Sequence, residues 1–326
     1  MFGWKEQRIK VHCVASCLCE VVKRYSEIDY RPFYFGVWDE PFAVNENGLS
    51  YFSPDFKHER MLRWHEHLFG SRVSRWHDAH LGAERNAQRL IELVADTNDH
   101  FHVVVQIDMS LLPERENKFQ LSPFPHYVLV SATEKNEEWY LLDADMKWEG
   151  RVDRDWVVQA FVGNPYPDGF VIETQHLRSP DEADVSSFFY DSCPASSSPL
   201  ASSLRAMITS YASDSVKLPQ LADALKHLHV IVIRKYSYDY ALMFLHDELG
   251  LGREHYEHWA QQIRDAVQAY NTVQYIAVKM ALTGRTNQLP SVMEALDRAD
   301  DLEQRLKKEL EREVSLWSAM RRAAHV

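Results

Sequence analysis

Residues 11–25 read Val-His-Cys-Val-Ala-Ser-Cys-Leu-Cys-Glu-Val-Val-Lys-Arg-Tyr, and this stretch decides the fold. Val14, Cys17, Leu18, Val21, Val22 and Tyr25 recur at spacings of three and four, so they share one face of a helix over 13–25. Cys13 stands just ahead of that apolar face, in the first turn. Backbone N–H groups there lack intrahelical acceptors, and the positive end of the helix dipole favours an anionic sulfur. The thiolate is the reactive form of cysteine, which makes Cys13 a candidate nucleophile. Taken alone, a cysteine at a helix start is more simply a small core residue. Cys17 lies on the apolar face and reads as a buried structural thiol, Cys19 points off it and reads as partly exposed, and Cys193 lacks catalytic context.

A nucleophilic thiol needs a base, and the base needs an orienter. Residues 101–107 are β-branched and read as a buried strand ended by Leu112-Pro113. Residues 126–131 and 138–142 read as a hairpin turning around Glu134-Lys135-Asn136-Glu137. His126 opens the first of these strands, and the apolar residues Tyr127 to Val130 follow it. Asp143 closes the second, on the face it shares with Trp139 and Leu141. A short hairpin brings the two ends together, with His126 as base and Asp143 as orienter; Asp145, two residues on, competes for that role. Gln7, six residues before Cys13, is a candidate oxyanion donor. The pair His65 and His67 and the pair His77 and His80 read as surface polar positions, and His12 either as packing beside Cys13 or as adding to the positive field there.

Metal is not expected. Cys13-x3-Cys17-x-Cys19 is no zinc spacing, and no second Cys or Cys/His pair completes it. Four unevenly crowded cysteines form no disulfide framework, which points to a reducing cytoplasm. The N-terminal residues lack the apolar core of a secretory signal. No run approaches the ~18 apolar residues of a membrane helix, so no membrane partner is expected. A net charge of −12 argues against nucleic acid and suits a cationic ligand such as a polyamine, or serves solubility alone.

The expected fold class is α+β: a catalytic domain over 1–176, a Ser/Pro-rich linker or mobile loop over 177–203, and a helical domain over 204–326. Further helices are expected at 56–69, 80–96, 155–162 and 289–320. Residues 31–53 are rich in aromatics and turns. Tyr34, Phe35 and Trp38 read either as a dry wall against an aryl group or as core; Asp39 and Glu40 read either as ligands for an amine or as solvated loop charges.

These motifs together resemble the butirosin-biosynthesis acyltransferase family, which is papain-like. The resemblance rests on His12-Cys13 opening a helix, on Tyr34-Phe35-Gly36-Val37-Trp38, and on the strand ending in Asp108 ahead of Leu112-Pro113. It rests further on the strands 126–130 and 141–143. It covers residues 8–165 by ordered motifs, with Ala144 standing where the family often has Pro, and the Asp143/Asp145 choice stays open. The wording Val-His-Cys-x3-Cys-Leu-Cys and Arg-Pro-x-Tyr-Phe-Gly-Val-Trp-Asp resembles the petrobactin-biosynthesis group of such enzymes, which move a dihydroxybenzoyl unit from an aryl carrier protein to spermidine. The resemblance implies a cytoplasmic, cysteine-dependent acyltransferase with no bound cofactor. The phosphopantetheine arrives on an acyl or aryl carrier protein, and the acceptor is a polyamine or other amine. Lys5, Arg8 and Lys10 are candidates for carrier docking. A thiol hydrolase or peptidase with the same triad is one alternative, and a non-catalytic interaction module is another. The C-terminal helices are expected to hold substrate, cap the core or build a homodimer.

Overall fold

The computed structural model describes residues 10–51, 58–113, 122–193 and 198–324. They are a mixture of helix and strand, with a C-terminal region that is helical. The chain divides into two compact units. One comprises residues up to Phe33 together with 58–180; the other comprises 34–51 together with residues from Asp181 onward.

The first unit is built on a six-stranded antiparallel sheet. Its order is Arg72–Arg75, Asp168–Glu173, Phe101–Asp108, Pro125–Ala132, Glu138–Asp143, Trp148–Asp153. Pairing follows the pleat: Val103, Val105, Ile107, Val128, Val130, Leu141 and Val152 are alternate residues, and they join one core. Ala87, Leu90 and Val94 from the helix Ala83–Ala95, and Val157, Ala160 and Phe161 from the helix Arg154–Val162, complete that core. Asp153 caps the second of these helices, accepting from the N–H groups of Asp155 and Trp156. The helix Cys13–Tyr25 packs against the strand Pro125–Ala132, and its bounds are those the apolar spacing predicts.

Three strands of this sheet go beyond the sequence reading: Arg72–Arg75, Trp148–Asp153 and Asp168–Glu173. The first two are edge strands whose charged, half-exposed faces hide the alternation.

The second unit is helical. Its two longest elements, Arg253–Thr283 and Leu289–Ala324, lie along each other. Ile263, Val267, Tyr270, Val273, Ala277 and Met280 line the buried stripe of the first, and Val292, Leu296, Ala299, Leu306, Leu310 and Val314 that of the second. Gly284, at φ +65°, ends the first helix in the left-handed conformation that glycine adopts without strain. The expected linker is corrected here: Glu182–Ser192 and Pro199–Ala212 are helices, and residues 194–197 lie outside the described set. Asp181 accepts from the Asp184 N–H, and Pro199 stands in the first turn of the second helix.

Candidate active site

Cys13 is the first residue of its helix, and the chain enters through His12 in an extended conformation. The first helical bond runs from the Ser16 N–H to the His12 carbonyl at 2.9 Å. Cys13 is buried, and its thiol lies within hydrogen-bonding reach of the His126 imidazole. His126 Nε2 stands 2.9 Å from Asp143 Oδ1, and both side chains are buried. The same Asp143 oxygen accepts the Met146 N–H at 2.9 Å, which fixes the carboxylate. Thiol, imidazole and carboxylate are therefore brought together where a helix start meets two strand ends.

Burial by itself would disfavour the imidazolium. The Asp143 charge, its hydrogen bond and the Cys13 contact outweigh that penalty, so His126 is held well above the ordinary histidine range. Asp145 is the other carboxylate of this region. Its Oδ1 accepts from the backbone N–H groups of Val11 and His12 and from the Ser16 hydroxyl. Desolvation and the neighbouring Asp143 push its carboxyl up, against the pull of His126. The geometry thus gives the two aspartates different partners: Asp143 faces the imidazole, and Asp145 the start of the helix.

The other cysteines are held elsewhere. The Cys17 thiol donates to the Tyr127 carbonyl at 3.6 Å, and burial pushes it well above the usual range. Cys19 is buried, correcting the expectation of partial exposure; its thiol points to the Tyr30 carbonyl. Cys193 is buried behind the helix Glu182–Ser192, and desolvation pushes its thiol up to about 12.

His65 is a second correction. It is fully buried, with Nδ1 2.7 Å from Ser71 Oγ and Nε2 donating to the Leu18 carbonyl at 3.2 Å. Desolvation pushes it down to about 3, so it is neutral at physiological pH. The signal was in the spacing: Met61, Leu62, His65, Leu68 and Phe69 form one buried face. His12 is also buried, its ring edge-on to His58. Gln7, Lys5 and Arg8 lie outside the described residues, while Lys10 is half-buried.

The aromatic segment belongs to the helical unit. Tyr34 stacks on Tyr240 with centroids 4.0 Å apart, and Trp38 on Tyr238 at 4.4 Å. Phe35 packs edge-on against Phe189 and Phe244. Asp39 is bound at 3.0 Å by Lys235 Nζ and also by Lys307, and Glu40 is buried. This is the arrangement of a core, and Asp39 is no solvated loop charge.

One group in the helical unit has metal-ligand composition: His255, Glu309 and Glu313 place donor atoms within 4.8 Å of one another. Arg312 already occupies the Glu309 carboxylate, and burial with Glu309 alongside pushes Glu313 up toward its protonated form. Protonation and a resident guanidinium both oppose a cation there.

A buried thiol–imidazole–carboxylate series at a helix start, beside an antiparallel sheet and followed by a helical unit, defines a class of protein with the parts for nucleophilic thiol chemistry. The chain belongs to the DUF6005 family: the DUF6005 N-terminal domain matches residues 8–177 and the DUF6005 C-terminal domain residues 183–326. It is similar to the petrobactin synthase of Bacillus anthracis, with 39% identity over 316 residues that cover 96% of this chain and 97% of that protein. Among the described residues no helix is long and apolar enough to cross a membrane.

Proposed function

We propose that this chain is a papain-like, cysteine-dependent acyltransferase of siderophore biosynthesis. It takes an aryl acyl group, dihydroxybenzoyl by the likeness to petrobactin synthase, from a carrier-protein thioester and passes it to a polyamine such as spermidine. The observation that carries this reading is the meeting of Cys13, at its helix start, with the His126 imidazole that stands 2.9 Å from Asp143. The likeness to a petrobactin synthase along nearly the whole chain supports a role in siderophore biosynthesis.

His126, raised by the facing Asp143, takes the Cys13 thiol proton and becomes imidazolium as the cycle begins. The thiolate attacks the thioester carbonyl, and a tetrahedral oxyanion forms. On its collapse the carrier's sulfur leaves with the proton from His126, and Cys13 carries the acyl group. A neutral amine then attacks the acyl-cysteine while the now neutral His126 accepts its proton. Cys13 leaves as thiolate, the amide is released, and the starting ion pair returns. Asp143 keeps the imidazole in the tautomer and orientation that both halves need. The buried site favours amine over water as acceptor.

Intact-protein mass spectrometry after mixing with an aryl-loaded carrier tests the reading. The expected result is an acyl adduct that is absent in Cys13→Ala and released faster by spermidine than by water. Release by water alone would make the chain a thiol hydrolase. An adduct that survives in Cys13→Ala, or none with any acyl thioester, would sink the proposal.

A further inference from the structure

The helix that carries Cys13 lacks a cap of its own. His12 makes no side-chain capping bond, and the first turn holds no acidic residue. What holds its start comes from far along the chain. Asp145 Oδ1 takes the Val11 N–H at 3.0 Å, the His12 N–H at 3.2 Å and the Ser16 hydroxyl at 2.9 Å. Val11 and His12 immediately precede the nucleophile, and Ser16 lies one turn after it. One oxygen thus ties the backbone just before Cys13 to the Ser16 side chain one turn after it. The residue two before it, Asp143, holds His126. The three residues 143–145 therefore grip the imidazole with one carboxylate and the thiol's helix with another.

We infer that Asp145 is a positioning residue that sets the Cys13 thiol against His126. The inference rests on the acyltransferase reading only for what the thiol then does. The value of Asp145 is geometric: its negative charge opposes a thiolate nearby, whereas its three accepted bonds, charge-assisted and buried, hold the helix start in place. A misplacement of ~1 Å at a reacting group can cost about 100-fold in rate. An asparagine keeps the accepting oxygen and loses the charge, so it should preserve the position.

The test is the rate at which iodoacetamide alkylates Cys13 at pH 7, located by peptide mass spectrometry, in the full-length chain. Cys17, Cys19 and Cys193 are buried too, so their labelling reports any loss of fold. Wild-type Cys13 should react fastest of the four. Asp145→Ala should slow Cys13 about 10-fold or more with the other three still protected. Asp145→Asn should stay within about 3-fold of wild type, and Ser16→Ala, which removes one of the three bonds, should fall between. A reactive Cys13 unaffected by Asp145→Ala, or slowed equally by Asp145→Asn, overturns the inference alone. A wild-type Cys13 no faster than Cys17 overturns it together with the nucleophile it serves. The predicted labelling pattern without an acyl adduct from any thioester leaves the inference standing and removes the acyltransferase reading.

Discussion

Two buried clusters of charge, one in each unit, are built by opposite rules. In the helical unit Asp39, Glu303, Lys235 and Lys307 set two cations against two carboxylates, and each charge meets an opposite one within the cluster. Tyr238 and Tyr270 donate to the two oxygens of Glu303 at 3.1 and 2.7 Å. In the sheet unit one imidazole stands beside two carboxylates and a thiol, and the balance does not close. A closed cluster has nothing left to offer a ligand and acts as a clamp between elements. An open one leaves a proton whose place is decided by whatever enters, which is the condition for acid–base work.

The largest effect should follow from removing the carboxylate that faces the reactive imidazole. Asp143→Asn keeps the shape and removes the charge that holds His126 up. By analogy with other triads the acylation rate should fall on the order of 10^4-fold, about 5.5 kcal/mol at the transition state. Stability should change with pH in a defined sense. The folded His126 lies above its ordinary value of 6.5, so its contribution is full below that pH and is lost as pH rises through the folded value. The variant should therefore lose stability on the acid side and resemble wild type on the alkaline side. Acylation by stopped-flow and urea melts at pH 5.5 and 9 would check both; near-normal acylation would remove Asp143 as orienter.

The closed cluster should break the other way. Lys307→Met leaves Asp39 and Glu303 with one lysine between them, in a place where Lys307 and Glu303 are nearly inaccessible to solvent. Removing one partner of a buried pair costs roughly 3–5 kcal/mol, because a charge is left uncompensated. Denaturant unfolding should show that loss, with Asp39→Asn in the same chain recovering part of it. A cost below about 1 kcal/mol would mean that water reaches the cluster and that closure is not what stabilises it.

How much of this was legible in the sequence differs between the clusters. Cys13, His126 and Asp143 stand at element ends, and element ends follow from periodicity: the apolar spacing from Val14 starts the helix, and the alternation Trp139, Leu141, Asp143 ends the strand. The register Val130↔Leu141 and Leu129↔Leu142 then brings the two strand ends together. Asp145 was visible only as a competitor for His126. Its bonds span more than 125 residues of chain and depend on how one loop folds back, which no local pattern encodes. The clamp was hidden for a related reason: Asp39 and Lys307 lie 268 positions apart, and a charge in an aromatic loop looks the same whether solvated or paired. His65 is a different case, because its helical face was present in the spacing but was masked by the charged residues around it.

A third cluster shows that an open balance is not sufficient for chemistry. On the long helices of the second unit, Glu309 and the buried Glu313 approach His255, whose Nε2 lies 3.4 and 3.1 Å from them. Arg312 neutralises Glu309, and desolvation with the Glu309 charge nearby pushes Glu313 up to about 8. The surplus charge is removed by a proton that stays put. Glu313→Gln imitates that neutral form and should change stability by no more than about 0.5 kcal/mol at pH 4. The two chains then diverge as pH rises. A carboxyl raised in the folded state stabilises fully below its ordinary 4.5 and loses that contribution as pH rises through the folded value. Wild type should weaken toward pH 9 while the glutamine variant does not, giving the variant an advantage of about 1 kcal/mol or more. Urea unfolding at pH 4 and pH 9 measures the divergence. A loss of 2 kcal/mol or more at pH 4 would show instead an ionised Glu313 paired with His255, closed like the lysine clamp.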